Sequence, residues 1–297
     1  MPSKRTVLIT GCSQGSLGEA LALGFHSRGL RFIATARSVS RLKTLEIKGI
    51  DILPLDVTDP FSITSCISSV SKITNGHLDI LLNNSGGGYS MPLVDASLGK
   101  AREVFELNVF SIIAMTQAFM PLLLKSEHGA MIVNNTSISL VATVPMTGVY
   151  NASKAAAAML TDNLRLELAH FKIRVVDLKT GAVRSGFYDN MNSGTKPGLP
   201  DDSIYGVARA EVERSMLTGC VSEKNMVAAD VWAGHVVEGL LVKEPELRIW
   251  KGGNSWLTWV AKRFMPFTFL DGEMVKMGSL DVVKKNVGGG KRKSVAS

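Results

Sequence analysis

Short apolar runs alternate along this chain with longer segments of helix-forming composition. The alternation predicts strands near residues 5–10, 31–36, 51–56, 78–83, 130–136, 173–178 and 247–250. It predicts helices near residues 17–28, 60–74, 100–124, 149–170 and 226–242. This pattern favours an α/β fold built on a doubly wound parallel sheet, because parallel strands need long crossover connections. The strands read as nearly continuous apolar runs, as expected for strands that helices cover on both faces.

A glycine-rich loop follows the first predicted strand. Glycines stand at positions 11, 15 and 18, between that strand and the first predicted helix. Glycine lets a backbone approach a pyrophosphate closely, and the N-terminus of the next helix offers free N–H groups to an anion. The spacing differs from the common G-x-G-x-x-G fingerprint, so a tight turn without a ligand is the alternative interpretation.

Polar side chains follow two other predicted strands where each strand ends. The strand near 78–83 leads into Asn84, Ser85 and Gly86, and the strand near 130–136 leads into Ser137. Ligands of open parallel sheets bind at the carboxyl ends of the strands. The two strand ends therefore predict a binding site, and the Ser137 hydroxyl is suited to bind a carbonyl oxygen.

Tyr150 and Lys154 are a pair suited to proton transfer. They lie four residues apart in a helix-forming segment, which places both side chains on one helical face. A phenol titrates near pH 10, and a nearby ammonium favours the phenolate and lowers that pKa. The alternative is a surface tyrosine beside a surface lysine. Ser137, thirteen residues before Tyr150, favours the catalytic interpretation.

With these segments the chain resembles the short-chain dehydrogenase/reductase family over roughly residues 5–250. The resemblance implies a Rossmann-type sheet and assigns catalysis to four residues. They are Asn108, Ser137, Tyr150 and Lys154. It gives Asn108 the task of positioning a water that connects Lys154 with solvent. Ser139 is a second hydroxyl nearby, but its offset of eleven from Tyr150 fits the family less well.

The resemblance also implies a nicotinamide cofactor, and the end of the second strand predicts which one. An acidic residue there would accept the ribose 2′-hydroxyl of NAD, whereas this chain has Ala36 followed by Arg37. Arginine pairs well with a 2′-phosphate, so we expect NADP(H). Arg41, one helical turn onward, either assists or is solvated. Asp56 matches the family's adenine-contacting aspartate, with a helix N-cap as its structural alternative.

Family motifs extend the set of predicted cofactor-binding residues to both halves of the sheet. The full set is Gly11, Ser13, Gly15, Leu17, Gly18, Arg37, Asp56, Asn84, Gly86, Tyr150, Lys154, Gly181, Val183 and Ser185. The chain departs from the family in one extra residue between its last two loop glycines and in Thr180 for a proline. The variant glycine loop resembles those of fungal reductases and 1-acyl-dihydroxyacetone-phosphate reductases.

We expect one catalytic domain over residues 1–250, with a substrate lid at about 185–223, and a C-terminal extension over 251–297. Glycines and prolines break the strand–helix rhythm in the lid segment, for which a plain surface insertion is the alternative. The extension carries an aromatic-rich run with two central bases. That run would cap the substrate pocket, join subunits, pack onto the domain or lie on a membrane surface.

The resemblance implies reduction of a lipophilic carbonyl or oxidation of the corresponding alcohol. A 1-acyl-dihydroxyacetone-phosphate reductase is the rival within the enzyme class, and would need a cationic recess from Arg184, Lys196 or Arg209. A catalytically idle NADP-binding regulator is the rival outside it, and the complete set of four catalytic residues argues against that. A membrane-surface scaffold is a further alternative. Family members commonly form homo-oligomers.

Charge and cysteine usage exclude other classes of function. The net charge is +7, but five positive charges lie at 284–293, so we expect no nucleic-acid site and a disordered basic tail. Three scattered cysteines and five scattered histidines indicate a reducing compartment and no metal. The apolar run after Met1 is short, so we expect no signal peptide. These features predict a cytoplasmic protein, with the endoplasmic reticulum or lipid-droplet surface as an alternative location.

Overall fold

The computed structural model of the protein describes residues 4–191, 198–218, 221–266 and 268–293. Its strands are β1 Thr6–Ile9, β2 Arg31–Ala36, β3 Asp51–Pro54, β4 Ile80–Asn83, β5 Met131–Asn135, β6 Arg174–Thr180, β7 Val183–Arg184, β8 Val227–Ala228 and β9 Arg248–Lys251. Seven of them form one parallel sheet in the order β3-β2-β1-β4-β5-β6-β9. The order reverses between β1 and β4, which is where open α/β sheets bind ligands.

Helices connect these strands and cover the sheet. They are α1 Leu17–His26, α2 Lys43–Glu46, α3 Pro60–Ile73, α4 Leu98–Phe105, α5 Ser111–Leu123, α6 Gly148–Leu168, α7 Phe187–Met191, α8 Arg209–Leu217, α9 Ala229–Leu241, α10 Ser255–Phe264, α11 Asp271–Met277 and α12 Leu280–Lys293. A π-helical turn, Glu106–Phe110, joins α4 to α5, and a 3₁₀ turn, Ile204–Ala208, precedes α8.

Two apolar cores lie on opposite faces of the sheet. On one face α1 and α9 bury Phe25 and Trp232 against the strands. On the other face α3 and α5 bury Val70 and Phe119. Each face of the sheet is therefore covered, and the predicted doubly wound parallel α/β fold is confirmed.

The helical run Leu98–Leu123 would be long and apolar enough to cross a membrane by length and composition alone, with a mean hydropathy of 1.3. Half of its most apolar window is buried, and Phe119 of this run belongs to the core beneath the sheet. We therefore assign it as a core helix of the α/β domain.

A third apolar cluster joins the lid segment to the C-terminal helices. Val212 and Met216 of α8 pack with Met146, and Met277 and Leu280 cover them. Polar contacts add to the packing, since Ser215 Oγ and Ser279 Oγ lie 2.8 Å apart. Part of the C-terminal extension thus packs onto the lid segment of its own chain.

The prediction of a disordered basic tail is wrong, because α12 continues to Lys293. Its first turns pack onto the segment 205–216, and Asn286 Nδ2 donates to Val207 O at 2.7 Å. Because the first turns of α12 are held by this packing, each further residue can join the helix by adding one hydrogen bond, and the helix extends through the basic segment. Two predicted features, Lys196 of the cationic recess and Cys220, lie outside the described residues.

Candidate functional site

The glycine loop lies at the carboxyl end of β1, where strand order reverses. Gly11 and Gly15 adopt φ of +73° and +77°, a region that other residues enter only with strain. At Gly18 the constraint is space, because a Cβ there would lie 2.4 Å from Gly11 O. Ser13 and Leu17 lie in the same turn, and Ser16 caps α1 by accepting from Glu19 N at 3.2 Å.

An acidic side chain also lies at this helix N-terminus. Glu19 Oε2 accepts from the Gly15 amide at 2.6 Å, and Glu19 Oε1 accepts from Thr44 Oγ1 at 2.6 Å. The amide that faces an anion site is thus held by a carboxylate of the chain itself. The sequence pattern does not predict this contact.

Asn84 ties the glycine loop to the neighbouring strands. Its Nδ2 donates to Thr10 O at 2.9 Å, and its Oδ1 accepts from Asn135 Nδ2 at 2.9 Å. Thr10 Oγ1 accepts from the backbone amides of Asn84 and Ser85. Sequence reasoning missed Thr10 and Asn135, although each stands at the carboxyl end of a predicted strand.

Asn108 lies in the π-helical turn between α4 and α5 and is 1% exposed. Its Oδ1 accepts from the Gly87 amide at 2.9 Å, while its Nδ2 donates to Gly87 O and to Ser153 Oγ. A Cβ at Gly86 would lie 3.2 Å from Asn108 Oδ1 and 3.3 Å from Lys154 Nζ. The structure thus brings Asn108, Gly86 and Lys154 together, as the sequence predicts.

Lys154 is a buried cation in α6. Its Nζ donates to Asn135 O at 2.8 Å and lies 6.0 Å from the centroid of the Tyr150 ring. Burial lowers the pKa of Lys154 from 10.5 to about 8, against the opposing effect of Asp177. The ammonium therefore loses its proton at a lower pH than an exposed lysine.

Tyr150 shows a pKa different from the one that the sequence suggests. Burial raises its pKa, while the side chains of Ser137 and Ser139 lower it by a smaller amount. The expected lowering by Lys154 does not dominate, because that ammonium is directed to Asn135 O. A neutral phenol is the form that can donate a proton, so this environment suits a general acid.

Ser137 and Ser139 both lie beside the Tyr150 side chain. Ser137 Oγ accepts from Ser139 N at 3.1 Å, which leaves its proton free to donate elsewhere. Ser139 Oγ is buried and has no hydrogen bond of regular geometry within the described part of the chain. Both side chains lie close enough to affect the Tyr150 pKa, and the choice of Ser137 over Ser139 stays a prediction.

The predicted adenosine contacts lie at the ends of β2 and β3. Arg37 is exposed directly after β2, where its guanidinium is accessible to a phosphate. Asp56 Oδ1 accepts from Thr58 N and Thr58 Oγ1 at 2.9 and 2.7 Å. The N-cap of α3 is Asp59, which accepts from Phe61 N at 2.9 Å, so Asp56 is not a helix cap.

The segment after β6 brings the remaining predicted contacts to the same edge. A Cβ at Gly181 would lie 2.3 Å from Gly253 O, and Val183 is buried in the short β7. Thr180, which replaces the family's proline, ends β6 and donates to Asn135 Oδ1 at 2.6 Å. Ser185 precedes α7, and its Oγ accepts from Phe187 N at 3.4 Å.

Apolar side chains of α7 lie against the predicted acid. The rings of Phe187 and Tyr150 are 5.5 Å apart, and Tyr188 packs edge-on to Phe187. The side chains of Met191 and Phe187 also pack against Gly88. A Cβ at Gly88 would lie 2.5 Å from Met191 Sδ, so a larger residue would not fit there. The Tyr150 ring therefore has aromatic neighbours, whereas Ser137 and Ser139 lie at its hydroxyl.

Within the described residues, no group of three or more His, Cys, Asp or Glu side chains is placed to hold a metal ion. Cys12, in the glycine loop, is buried and its Sγ donates to Ile9 O at 3.4 Å. Burial raises the pKa of both Cys12 and Cys66 to about 12. Neither thiol is therefore a nucleophile at neutral pH.

Comparisons with known proteins agree with this geometry. The family model for short chain dehydrogenases matches residues 5–196. A short-chain dehydrogenase/reductase of Pestalotiopsis microspora is 42% identical over 288 residues, which cover 96% of this chain and 98% of the relative. An NADPH-dependent 1-acyldihydroxyacetone phosphate reductase of Schizosaccharomyces pombe is 39% identical over 208 residues, 69% of each chain.

Solved structures agree in fold. A short-chain dehydrogenase from Streptomyces avermitilis superposes with a TM-score of 0.74 at 23% identity, covering 96% of this chain and 98% of that one. The family match covers more than half of the chain and includes the glycine loop and the segments that carry Asn108, Ser137, Tyr150 and Lys154. The chain belongs to the short-chain dehydrogenase/reductase family, whose members are oxidoreductases that act on CH–OH groups with nicotinamide cofactors.

Proposed function

We propose that this protein is an NADP(H)-dependent reductase that interconverts a lipophilic ketone and its secondary alcohol, in fungal secondary-metabolite biosynthesis. One observation carries the proposal: Ser137, Tyr150 and Lys154 meet at the sheet edge that also holds the glycine loop. Fungal relatives of similar length support the same class of reaction.

The residues present fit a dinucleotide. The turn at Gly11 and the close contact at Gly18 bring backbone, rather than side chains, to the N-terminus of α1. There the pyrophosphate would lie, with the Asn84 and Gly86 segment beside the nicotinamide half. A bound nicotinamide supplies the hydride.

The chain's own residues orient and polarise the carbonyl. Ser137 and Tyr150 donate hydrogen bonds to its oxygen, which gains negative charge during reduction. Tyr150 then releases its proton to that oxygen and becomes a phenolate. Lys154 stabilises the phenolate by its charge, and Asn108 holds the Gly87 backbone beside it. Solvent returns the proton at the Lys154 end of the site.

Cofactor preference is attributed to Arg37. A charge-assisted hydrogen bond to a 2′-phosphate contributes about 1.5–3 kcal/mol, or roughly 10- to 100-fold in affinity. We expect Arg37→Ala to raise the KM for NADPH by that factor and to leave the KM for NADH unchanged. Steady-state kinetics with both cofactors measure this, with Arg28→Ala, in the exposed pair with Glu238, as the control. A wild type that prefers NADH would contradict the assignment.

The Lys154 pKa predicts the pH dependence of reduction. The ammonium is needed to stabilise the phenolate, so kcat/KM should be full below about pH 8 and fall as the pH rises through that value. The folded state binds fewer protons than the unfolded state between about pH 8 and 10.5, so this group makes stability rise with pH in that window. Between about pH 8 and 9 activity should therefore fall while this group raises Tm. Above pH 9 the unfolded state loses the Cys12 and Cys66 thiol protons that the folded state keeps to about pH 12, which lowers stability as the pH rises. A flat activity profile from pH 6 to 10.5 would contradict the role of Lys154.

A lipophilic substrate is supported by the aromatic surroundings of Tyr150. The phosphate-bearing alternative needs a cationic recess, but Arg209 already bonds Leu199 O and Glu213 Oε1. Oxidation of NADPH should be measured across lipophilic ketones and acyl-dihydroxyacetone phosphate, with product identification. If only acyl-dihydroxyacetone phosphate is reduced, the protein is a 1-acyl-dihydroxyacetone-phosphate reductase. If neither class of compound is reduced although NADPH binds tightly, the hypothesis of a catalytically idle regulator is favoured.

We also propose that α10 contacts a membrane or lipid-droplet surface from the cytoplasm. Its buried side is small, formed by Ser255, Thr258 and Ala261, whereas Trp256 is 71% and Phe264 67% exposed. Lys262 and Arg263 follow on the same helix and suit anionic headgroups. Trp256 and Phe264 thus leave most of their surface uncovered by their own chain, which supports contact with another surface.

Flotation with phosphatidylserine-containing vesicles tests this surface. Replacing Trp256, Trp259 and Phe264 with Ser should abolish co-flotation, because the apolar anchors are lost while the buried face is untouched. The matched control is Phe61→Ser, because Phe61 is an exposed aromatic residue on α3, outside α10. If the triple variant instead loses self-association, α10 is a subunit interface. That outcome would agree with our expectation of a homo-oligomer, since members of the family are often oligomeric.

A further inference from the structure

A buried ion pair lies beside the predicted catalytic strand ends. Asp177 and Lys179 occupy alternate positions of β6, and so share one face of the sheet. They are 1% and 4% exposed. The Lys179 ammonium donates to Asp177 Oδ2, and Thr136 Oγ1 donates to Asp177 Oδ1. Burying two charges seldom adds stability, so the pair calls for a different explanation.

The first connection of this pair is to Ser137. Thr136, which Asp177 holds, is the residue directly before Ser137 in the chain. The Thr136 amide also donates to Leu178 O at 2.8 Å, so backbone and side chain both fasten this position to β6. The Asp177 carboxylate is therefore bonded to the residue that directly precedes Ser137.

The second connection is to Lys154. Lys154 Nζ donates to Asn135 O, and the next residue, Thr136, donates its hydroxyl to Asp177, so two contacts and one peptide link join this carboxylate to the ammonium. The Asp177 charge opposes the effect of burial on the Lys154 pKa. Lys154 Nζ also lies 6.0 Å from the ring centroid of Tyr150 on its own helix. Lys179, which pairs with Asp177 on β6, has its Nζ 5.5 Å from the Trp250 ring centroid. Beyond them Lys262 of α10 lies within electrostatic range of the pair.

We propose that Asp177, held by Lys179 and Thr136, is a positioning residue that fixes Ser137 and places a carboxylate within electrostatic range of the Lys154 ammonium. It acts through these residues and does not touch the reacting atoms. The role in turnover rests on the proposed reductase function, whereas the effect on Lys154 is a property of the folded protein alone.

The test removes both charges together, since a single substitution would leave its partner buried and unpaired. Asp177→Asn with Lys179→Met keeps side-chain size, and Thr136→Val removes only the hydroxyl contact. The matched control is Asp162→Asn, which breaks the exposed Arg248 pair on α6. The protonation of Lys154 is followed in the absence of substrate by NMR of ¹³Cε-labelled lysine, and the Lys154→Arg variant identifies its signal. Turnover is followed separately by measuring kcat/KM as a function of pH.

In the double variant we expect Lys154 to titrate below the value of about 8 in the wild type, and the basic limb of kcat/KM to move with it. In Thr136→Val we expect kcat to fall by up to about 100-fold with an unshifted limb, because only the serine is displaced. Asp162→Asn should match the wild type in both readouts.

Unchanged Lys154 titration in a folded double variant overturns the electrostatic part, and wild-type kcat in Thr136→Val overturns the positioning part. Should the double variant not fold, Thr136→Val still decides the second part. The first part is then decided by the same NMR titration of a variant that makes the whole cluster apolar, Thr136→Val with Asp177→Leu and Lys179→Met. If the wild type reduces no carbonyl compound, the proposed function fails, while the NMR titration continues to test Asp177.

Discussion

Tyr150→Phe should reduce kcat by roughly 10²- to 10⁴-fold, the usual contribution of a positioned general acid. The substitution removes one hydroxyl and leaves the ring against Phe187, so packing in α6 is retained. NADPH affinity should change little, because the predicted phosphate contacts lie in the glycine loop. Single-turnover reduction with a ketone substrate measures the chemical step, and NADPH fluorescence measures binding.

Tyr89→Phe is the matched control for this loss. It removes a phenol hydroxyl that accepts from Ser97 N at 3.0 Å outside the catalytic cluster. We expect this variant to keep most of the wild-type rate. Turnover in Tyr150→Phe within a few-fold of the wild type would remove the central argument for Tyr150 as the acid.

Gly18→Ala should produce the second large effect, a loss of NADPH binding together with lower stability. The new Cβ would lie 2.4 Å from Gly11 O and 2.8 Å from Asn84 Nδ2, and the carbonyl oxygen belongs to a backbone that cannot rotate away. Overpacking of this kind costs about 1–3 kcal/mol, and here it would displace the loop that receives the phosphates. Calorimetric titration with NADPH and thermal unfolding measure the two effects.

Gly234→Ala on α9 separates this steric effect from a general effect of replacing a helical glycine. No heavy atom lies within 4 Å of a Cβ built there. The variant should therefore be more stable by about 0.5–1 kcal/mol, since alanine loses less backbone entropy than glycine in a helix. Equal NADPH affinity in both glycine variants would show that the contact at Gly18 does not shape the loop.

The sequence predicts the parts of this fold that rest on local patterns. Apolar runs such as those at β4 and β5 locate the strands because doubly covered strands must be apolar throughout. Tyr150 and Lys154 share a face because helical periodicity places residues four apart together. Short elements such as β7 and α7 escape prediction, since two to five residues are stabilised by tertiary contacts rather than by their own pattern.

Contacts between distant segments are harder to foresee. Asn135 accepts from Lys154 and donates to Asn84, but one amide among several polar residues gives no signal in the sequence. The raised pKa of Tyr150 depends on burial by other segments, so the Tyr–Lys spacing alone suggests the wrong balance. Likewise, the burial of Asp177 and Lys179 follows only from the position of β6 inside the sheet.

The packing of α11 and α12 on α8 affects how substrate specificity can be transferred between related enzymes by exchanging segments of chain. Met216 in the lid segment and Met277 in the C-terminal helices belong to one apolar cluster, although they are far apart in sequence. A chimera that received the 198–218 segment from another enzyme without 271–288 would pair mismatched surfaces and leave apolar area uncovered. A chimera should therefore acquire the substrate selectivity of the donor enzyme only when both segments are exchanged together.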